Sequence, residues 1–161
     1  MAPLGQGTRT NLVRHPIENY FPRLRVGDYQ ITSPESETYN CIAWAAGHSD
    51  LWWEPDPFDL YFWPPEAPRN LTLDAYVKAF GVLGYVPSQN SDLEPGFEKV
   101  AIYTDLMGRP THAARQLPSG NWTSKLGELE DIEHATLDSL NGSQYGSVAL
   151  LLKRPIQQQT S

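Results

Sequence analysis

The residue best equipped for chemistry is Cys41, the only cysteine in the 161-residue chain, set in TYNCIAWAAG between an asparagine and a short apolar run. A single cysteine cannot form an intrachain disulfide or a multi-cysteine zinc cluster, and on its own it reads as a small buried hydrophobe or as a nucleophile. Asn40 is a suitable N-cap, which puts Cys41 in the first turn of a helix ended by Gly47. Unpaired N–H groups at a helix start stabilise a thiolate, so this position predicts an acidified thiol. The complementary base is His112, at the start of THAARQL. A histidine beginning a central strand can take the thiol proton and return it to a leaving group, so both side chains are expected to face one open cleft.

The third group depends on how two strands meet. THAARQL (111–117) and WTSKLG (122–127) flank the reversal signal LPSGNW. A two-residue turn brings Lys125 to the histidine face, where it would serve to bind an acidic substrate group. One more residue in the turn brings Ser124 there instead, and Ser124 is the preferred partner because a lysine beside a forming imidazolium repels it. Asn40 has two open roles, as a helix cap or as an amide beside an oxyanion hole. His134 reads as a surface or packing residue in an acidic helix that favours its protonated form, and His48 reads as a partner of the preceding helix's carbonyls. Cys41, His48, His112 and His134 are zinc-compatible types, but they follow no zinc-binding spacing, and no cofactor is expected.

The aromatic stretch WWEPDPFDLYFWPPEAP (52–68) follows the cysteine helix. It covers one end of the core, or it supplies Trp52, Trp53 and Trp63 as a substrate-binding wall. LTLDAYVKAFGVLGY predicts a helix with Leu73, Tyr76, Val77 and Phe80 on one face and Gly81 or Gly84 as its stop. KVAIYTD (99–105) predicts a strand, LEDIEHATLDSL a helix, and GSVALLLKR (146–154) a strand buried on both sides. Helices before an antiparallel sheet indicate an α+β fold, with one domain over 17–154, a flexible N-terminal tail over 1–16 and a C-terminal tail over 155–161.

Composition narrows the partners. With 12 basic and 19 acidic side chains, a formal charge of −7 and no basic stripe, nucleic acid is disfavoured. No segment is long and apolar enough to serve as a signal peptide or membrane span, so the expected location is the cytoplasm, a reading that delivery by a nonclassical secretion route would escape.

TYNCIAWA, THAARQLPSGNWTSKLG, His134 and QYGSVALLLKRP together resemble a bacterial family of small uncharacterised proteins, over roughly 20–155, which is in turn similar to NlpC-type, papain-like cysteine peptidases and amidases. The resemblance implies a papain-like core in which the cysteine opens a helix packed on an antiparallel sheet, the histidine begins a strand, and a polar residue on the next strand orients it. Cys41 and His112 match the first two roles. The chain departs from the peptidase pattern in having Asn40 before the cysteine and Ile42-Ala43 after it. The expected activity is a thiol hydrolase or acyl-transfer enzyme acting on a peptide, protein or other amide, a toxin effector included. The alternative is a noncatalytic binding or accessory protein that works through the aromatic loop and a protein partner.

Overall fold

The computed structural model describes residues 15–156. Within them the chain forms a mixed α+β fold around one seven-stranded sheet in which every pairing is antiparallel. In chain order the elements are α1 (Ile17–Tyr20), a 3-10 turn (Pro22–Arg25), β1 (Tyr29–Ser33), α2 (Cys41–Ala45), α3 (Leu73–Val82) and β2 (Val86–Pro87). They continue with β3 (Phe97–Thr104), β4 (Pro110–Gln116), β5 (Trp122–Lys125), β6 (Asp131–His134), a second 3-10 turn (Leu137–Leu140) and β7 (Ser147–Pro155). The strand order is β1-β6-β5-β4-β3-β7-β2, so the β3–β4–β5–β6 meander forms the centre. No helix is long and apolar enough to cross a membrane among the described residues.

Side-chain alternation along the central strands divides the core into two layers. Val100, Ile102 and Ala113 face α2, α3 and the aromatic loop, together with Cys41, Trp53, Trp63 and Phe80. Ala101, Tyr103, Ala114, Trp122 and Ile132 face the N-terminal turns and Leu140. The helix α3 carries Ala75, Tyr76, Ala79 and Phe80 inward and is capped by Thr72, whose hydroxyl accepts the Ala75 N–H. It runs through Gly81, and the chain turns at Gly84 with φ +98°.

Two features place the site. The β4–β5 loop has three residues, not two: Leu117 N–H donates to the Asn121 carbonyl, Gly120 N–H donates to the Leu117 carbonyl, and Gly120 adopts φ +95°. That left-handed residue closes a type I turn at little cost because it is glycine. The resulting register, Gln116 opposite Trp122, sets Ser124 on the same face as His112. The β3–β4 pairing shifts between Tyr103 opposite His112 and Thr104 opposite Pro110, leaving Thr111 as the extra residue of a bulge. The Thr111 hydroxyl then reaches the Tyr145 carbonyl at 2.5 Å.

The helix expected over LEDIEHATLDSL does not form. Asp131–His134 is a strand paired on both sides, with β5 and with β1, and only Leu137–Leu140 turns. Ile132 and His134 are both buried two positions apart, so the segment satisfies a strand's period of two, and ladders on both edges satisfy its backbone. The strand β7 is also less enclosed than its apolar run implied: only Leu152 in it is fully buried. Most of the expected tails lies outside the described residues. At their inner ends, His15 approaches Glu130 at 3.2 Å and Pro155 completes β7.

Candidate active site

Asn40 caps α2 and also anchors the following loop. Its side-chain oxygen accepts the N–H of Ala43 and that of Trp53, and its amide N–H donates to the Trp53 carbonyl at 2.7 Å. Its carbonyl oxygen and one of its two amide N–H donors are thereby engaged, which makes Asn40 a structural pin with a cap contribution of about 1 kcal/mol.

Cys41 follows at the first position of α2 and is 8% exposed. It lines a cavity of 640 Å³ together with Ile42, Trp52, Trp53, Tyr76 and Tyr145. The thiol accepts the backbone N–H of Ala113 on β4, which puts sulfur at the peptide that joins Ala113 to His112. Burial pushes the thiol pKa up to about 11, against the pull of the neighbouring N–H groups and of Lys125. The acidified thiol expected from the helix position is therefore not what the fold produces. Desolvation outweighs a five-residue helix.

His112 is fully buried. Alternation turns it away from the α2 layer, and its ring packs against Tyr103 at 5.3 Å and stacks on Tyr145 at 4.1 Å, the latter within 10° of parallel. It does not line the cavity, contrary to the expectation that both groups face one cleft; Tyr145, which does line it, lies against the imidazole instead. No hydrogen bond joins the thiol to the ring, because His112 Nδ1 is buried without a partner.

The other ring nitrogen enters a relay. His112 Nε2 is 2.9 Å from Ser124 Oγ, Ser124 Oγ is 2.8 Å from His134 Nε2, and His134 Nδ1 is 2.8 Å from the Thr136 carbonyl. A carbonyl only accepts, so His134 carries its proton on Nδ1. Burial lowers the His134 pKa to about 4, and burial with the neighbouring His134 holds His112 well below its ordinary value, so both rings are neutral. His134 Nε2 must then accept from the Ser124 hydroxyl, and Ser124 must accept from His112 Nε2–H. The lone pair of His112 is left on Nδ1, the orphan atom. The relay's far end departs from the sequence reading: His134 is a buried neutral acceptor on a strand, where a surface or packing residue on a helix, favoured in its protonated form, was expected. The alternating Asp131-Ile132-Glu133-His134 pattern was the available signal.

Lys125 points to the other face from Ser124. Its ammonium is buried, donates to the carbonyls of Ser36, Gly127 and Leu129 at 2.6–2.8 Å, and lies 5.0 Å over the Tyr39 ring. Burial lowers its pKa, and its three donors are spent on carbonyls of two loops, so it is a tie rather than a substrate-binding charge. The aromatic stretch divides. Trp52 and Trp53 line the cavity, whereas Trp63 is buried against Tyr76 at 5.2 Å, donates to the Pro68 carbonyl, and is core rather than cleft wall. His48 stacks on Trp53 at 5.5 Å. Among the described residues no three His, Cys, Asp or Glu side chains come together in a way that could hold a metal ion.

Residues 30–153 match the model of a family described as a domain of unknown function, DUF7689, and the chain belongs to that family. No curated protein and no solved structure matches it.

Proposed function

We propose that this DUF7689 member is a thiol hydrolase or acyl-transfer enzyme that acts on an amide, with Cys41 as nucleophile and His112 as base. The observation that carries the reading is the relay through Ser124 and His134, which leaves the Nδ1 lone pair of His112 unpaired, on the residue next to the Ala113 N–H that meets the thiol. A structural histidine gains nothing from a buried, unpartnered nitrogen. A general base requires an open lone pair.

The resting pair is neutral thiol and neutral imidazole. Withdrawal of the Tyr145 ring by an entering substrate opens Nδ1 to the cavity. The thiol proton passes to Nδ1 as sulfur bonds to the carbonyl carbon, and the developing oxyanion meets the N–H groups that open α2. The C–N bond then breaks as the leaving amine takes the proton from Nδ1. Water attacks the thioester and gives a proton to Nδ1, the C–S bond breaks to release the acid, and sulfur takes that proton from Nδ1 to restore the thiol; an amine in place of water completes an acyl transfer. Ser124 and His134 position the imidazole throughout and touch no reacting atom.

A screen of peptidyl amides with a fluorogenic amine leaving group tests this. Turnover is expected to vanish in Cys41→Ala and His112→Ala and to fall about 10- to 100-fold in Ser124→Ala. Turnover that survives Cys41→Ala would overturn the mechanism. A second reading, a noncatalytic binding protein, is favoured by one observation: the thiol is buried and its pKa raised to about 11. On that reading no amide is turned over, and a ligand found for the cavity binds Cys41→Ala as well as the wild-type chain.

A further inference from the structure

The cavity beside Cys41 is apolar over most of its wall, with Ile42, Trp52, Trp53, Leu71, Tyr76 and Tyr145 among its lining. Three charged side chains interrupt that wall: Glu54, Asp56 and Arg69. Two of them are occupied with each other. Arg69 pairs with Asp56 at 3.0 Å and Asp59 at 2.7 Å and donates to the Tyr61 carbonyl, while Asp56 also accepts the N–H groups of Leu60 and Tyr61. This network braces the aromatic loop and leaves little for a ligand.

Glu54 differs. Its carboxylate accepts the Trp52 indole N–H at 3.1 Å and forms no ion pair with any described residue. Its backbone is held: Glu54 N–H donates to the Phe62 carbonyl at 3.0 Å, and Trp53 bridges Phe62. The carboxylate acts across the cavity, since with burial and Cys41 it is one of the three influences that raise the Tyr76 phenol pKa. A second observation points to a ligand. Trp53 is 4% exposed, lines the same cavity, and its indole N–H has no hydrogen-bond partner.

We infer that this cavity recognises a cationic amide: an ammonium or guanidinium group at Glu54, an apolar stem along the aromatic wall, and a carbonyl oxygen for the Trp53 N–H. The inference deepens the hydrolase reading and rests on it only in calling the occupant a substrate. The carboxylate supplies the sign of selectivity. The aromatic wall reinforces it, because indole and phenol faces attract cations, and the chain's net charge of −7 draws them toward the protein.

The test is equilibrium binding to the full-length Cys41→Ala chain, in which no probe can be turned over. Three matched probes are titrated by tryptophan fluorescence and calorimetry: acetyl-Phe-Lys amide, acetyl-Phe-norleucine amide and acetyl-Phe-Glu amide. The lysine probe is expected to bind about fivefold tighter than the norleucine probe, the size of one exposed ion pair, and the glutamate probe weaker than both. Glu54→Gln should bring the lysine probe to the norleucine affinity and leave the norleucine probe unchanged, and 0.5 M salt should narrow the preference. Equal affinities for the three probes, absence of binding by all of them, or a lysine preference that survives Glu54→Gln would each overturn the inference. Because binding is read without catalysis, these outcomes stand apart from the turnover screen: a charge preference without turnover keeps the site and loses the enzyme, and turnover without charge preference does the reverse.

Discussion

Acidification should destabilise this protein in a window set by two buried histidines. In the unfolded chain a histidine takes its proton near pH 6.5; in the fold His134 takes it only near about 4, and His112 lower still than its ordinary value, because burial disfavours the charged ring in both. Between those limits the unfolded state binds more protons than the native state, so stability falls as pH falls. It is fully present above about 6.5. For His134 alone the two values imply a loss of about 2.5 kcal/mol on going from pH 7 to pH 4.5, at about 1.4 kcal/mol per unit, and His112 adds to it in the same direction. Against a total of about 5–15 kcal/mol for an ordinary domain, that is a large share. Depressed carboxylates such as Asp56, Glu94 and Asp105 contribute stability that is lost only below their own ordinary values of 3.8 to 4.5, so the window above pH 4.5 belongs to the histidines. The assay is urea unfolding followed by tryptophan fluorescence at pH 7.5, 6.5, 5.5 and 4.5, extrapolated to zero urea. His134→Gln should be less stable than wild type at pH 7.5 and show a shallower decline toward pH 4.5. Unchanged wild-type stability between pH 7.5 and 4.5, or the same decline in His134→Gln, would refute the neutral relay.

Two substitutions probe the elements that hold the site. Lys125→Met should lower stability by about 2–4 kcal/mol, since the carbonyls of Ser36, Gly127 and Leu129 lose a buried charged donor together; an unchanged thermal midpoint would contradict the tie. Gly146→Ala places a Cβ against the Thr104 carbonyl oxygen at a residue with φ +74°, next to Tyr145. It is expected to cost at least about 2 kcal/mol and to change the near-ultraviolet circular dichroism as Tyr145 leaves the His112 ring, and a wild-type spectrum would show the segment to be more tolerant than its packing implies.

What the sequence determined by itself is what short-range physics encodes. The Asn40 cap ahead of Cys41, the three- and four-residue spacing of Leu73, Tyr76 and Phe80, and the strands of THAARQL and WTSKLG all arise within a dozen residues of chain, where capping, periodicity and turn chemistry act. Even the choice between Ser124 and Lys125 was present as an alternative, reduced to the length of one loop. Tertiary structure alone decided that choice and its chemistry. Three loop residues, closed by a left-handed Gly120, turned Ser124 toward His112. Lys125 was claimed by Ser36, 89 positions away, and Asp131 by Tyr39, 92 positions away, contacts that no local pattern announces. His134 became a relay acceptor because β1 and β5 paired with its strand from both sides, overriding a helix-like spacing of leucines. The protonation of Cys41, His112 and His134 followed from burial, and burial is a property of everything that packs over a group rather than of the residues beside it in sequence.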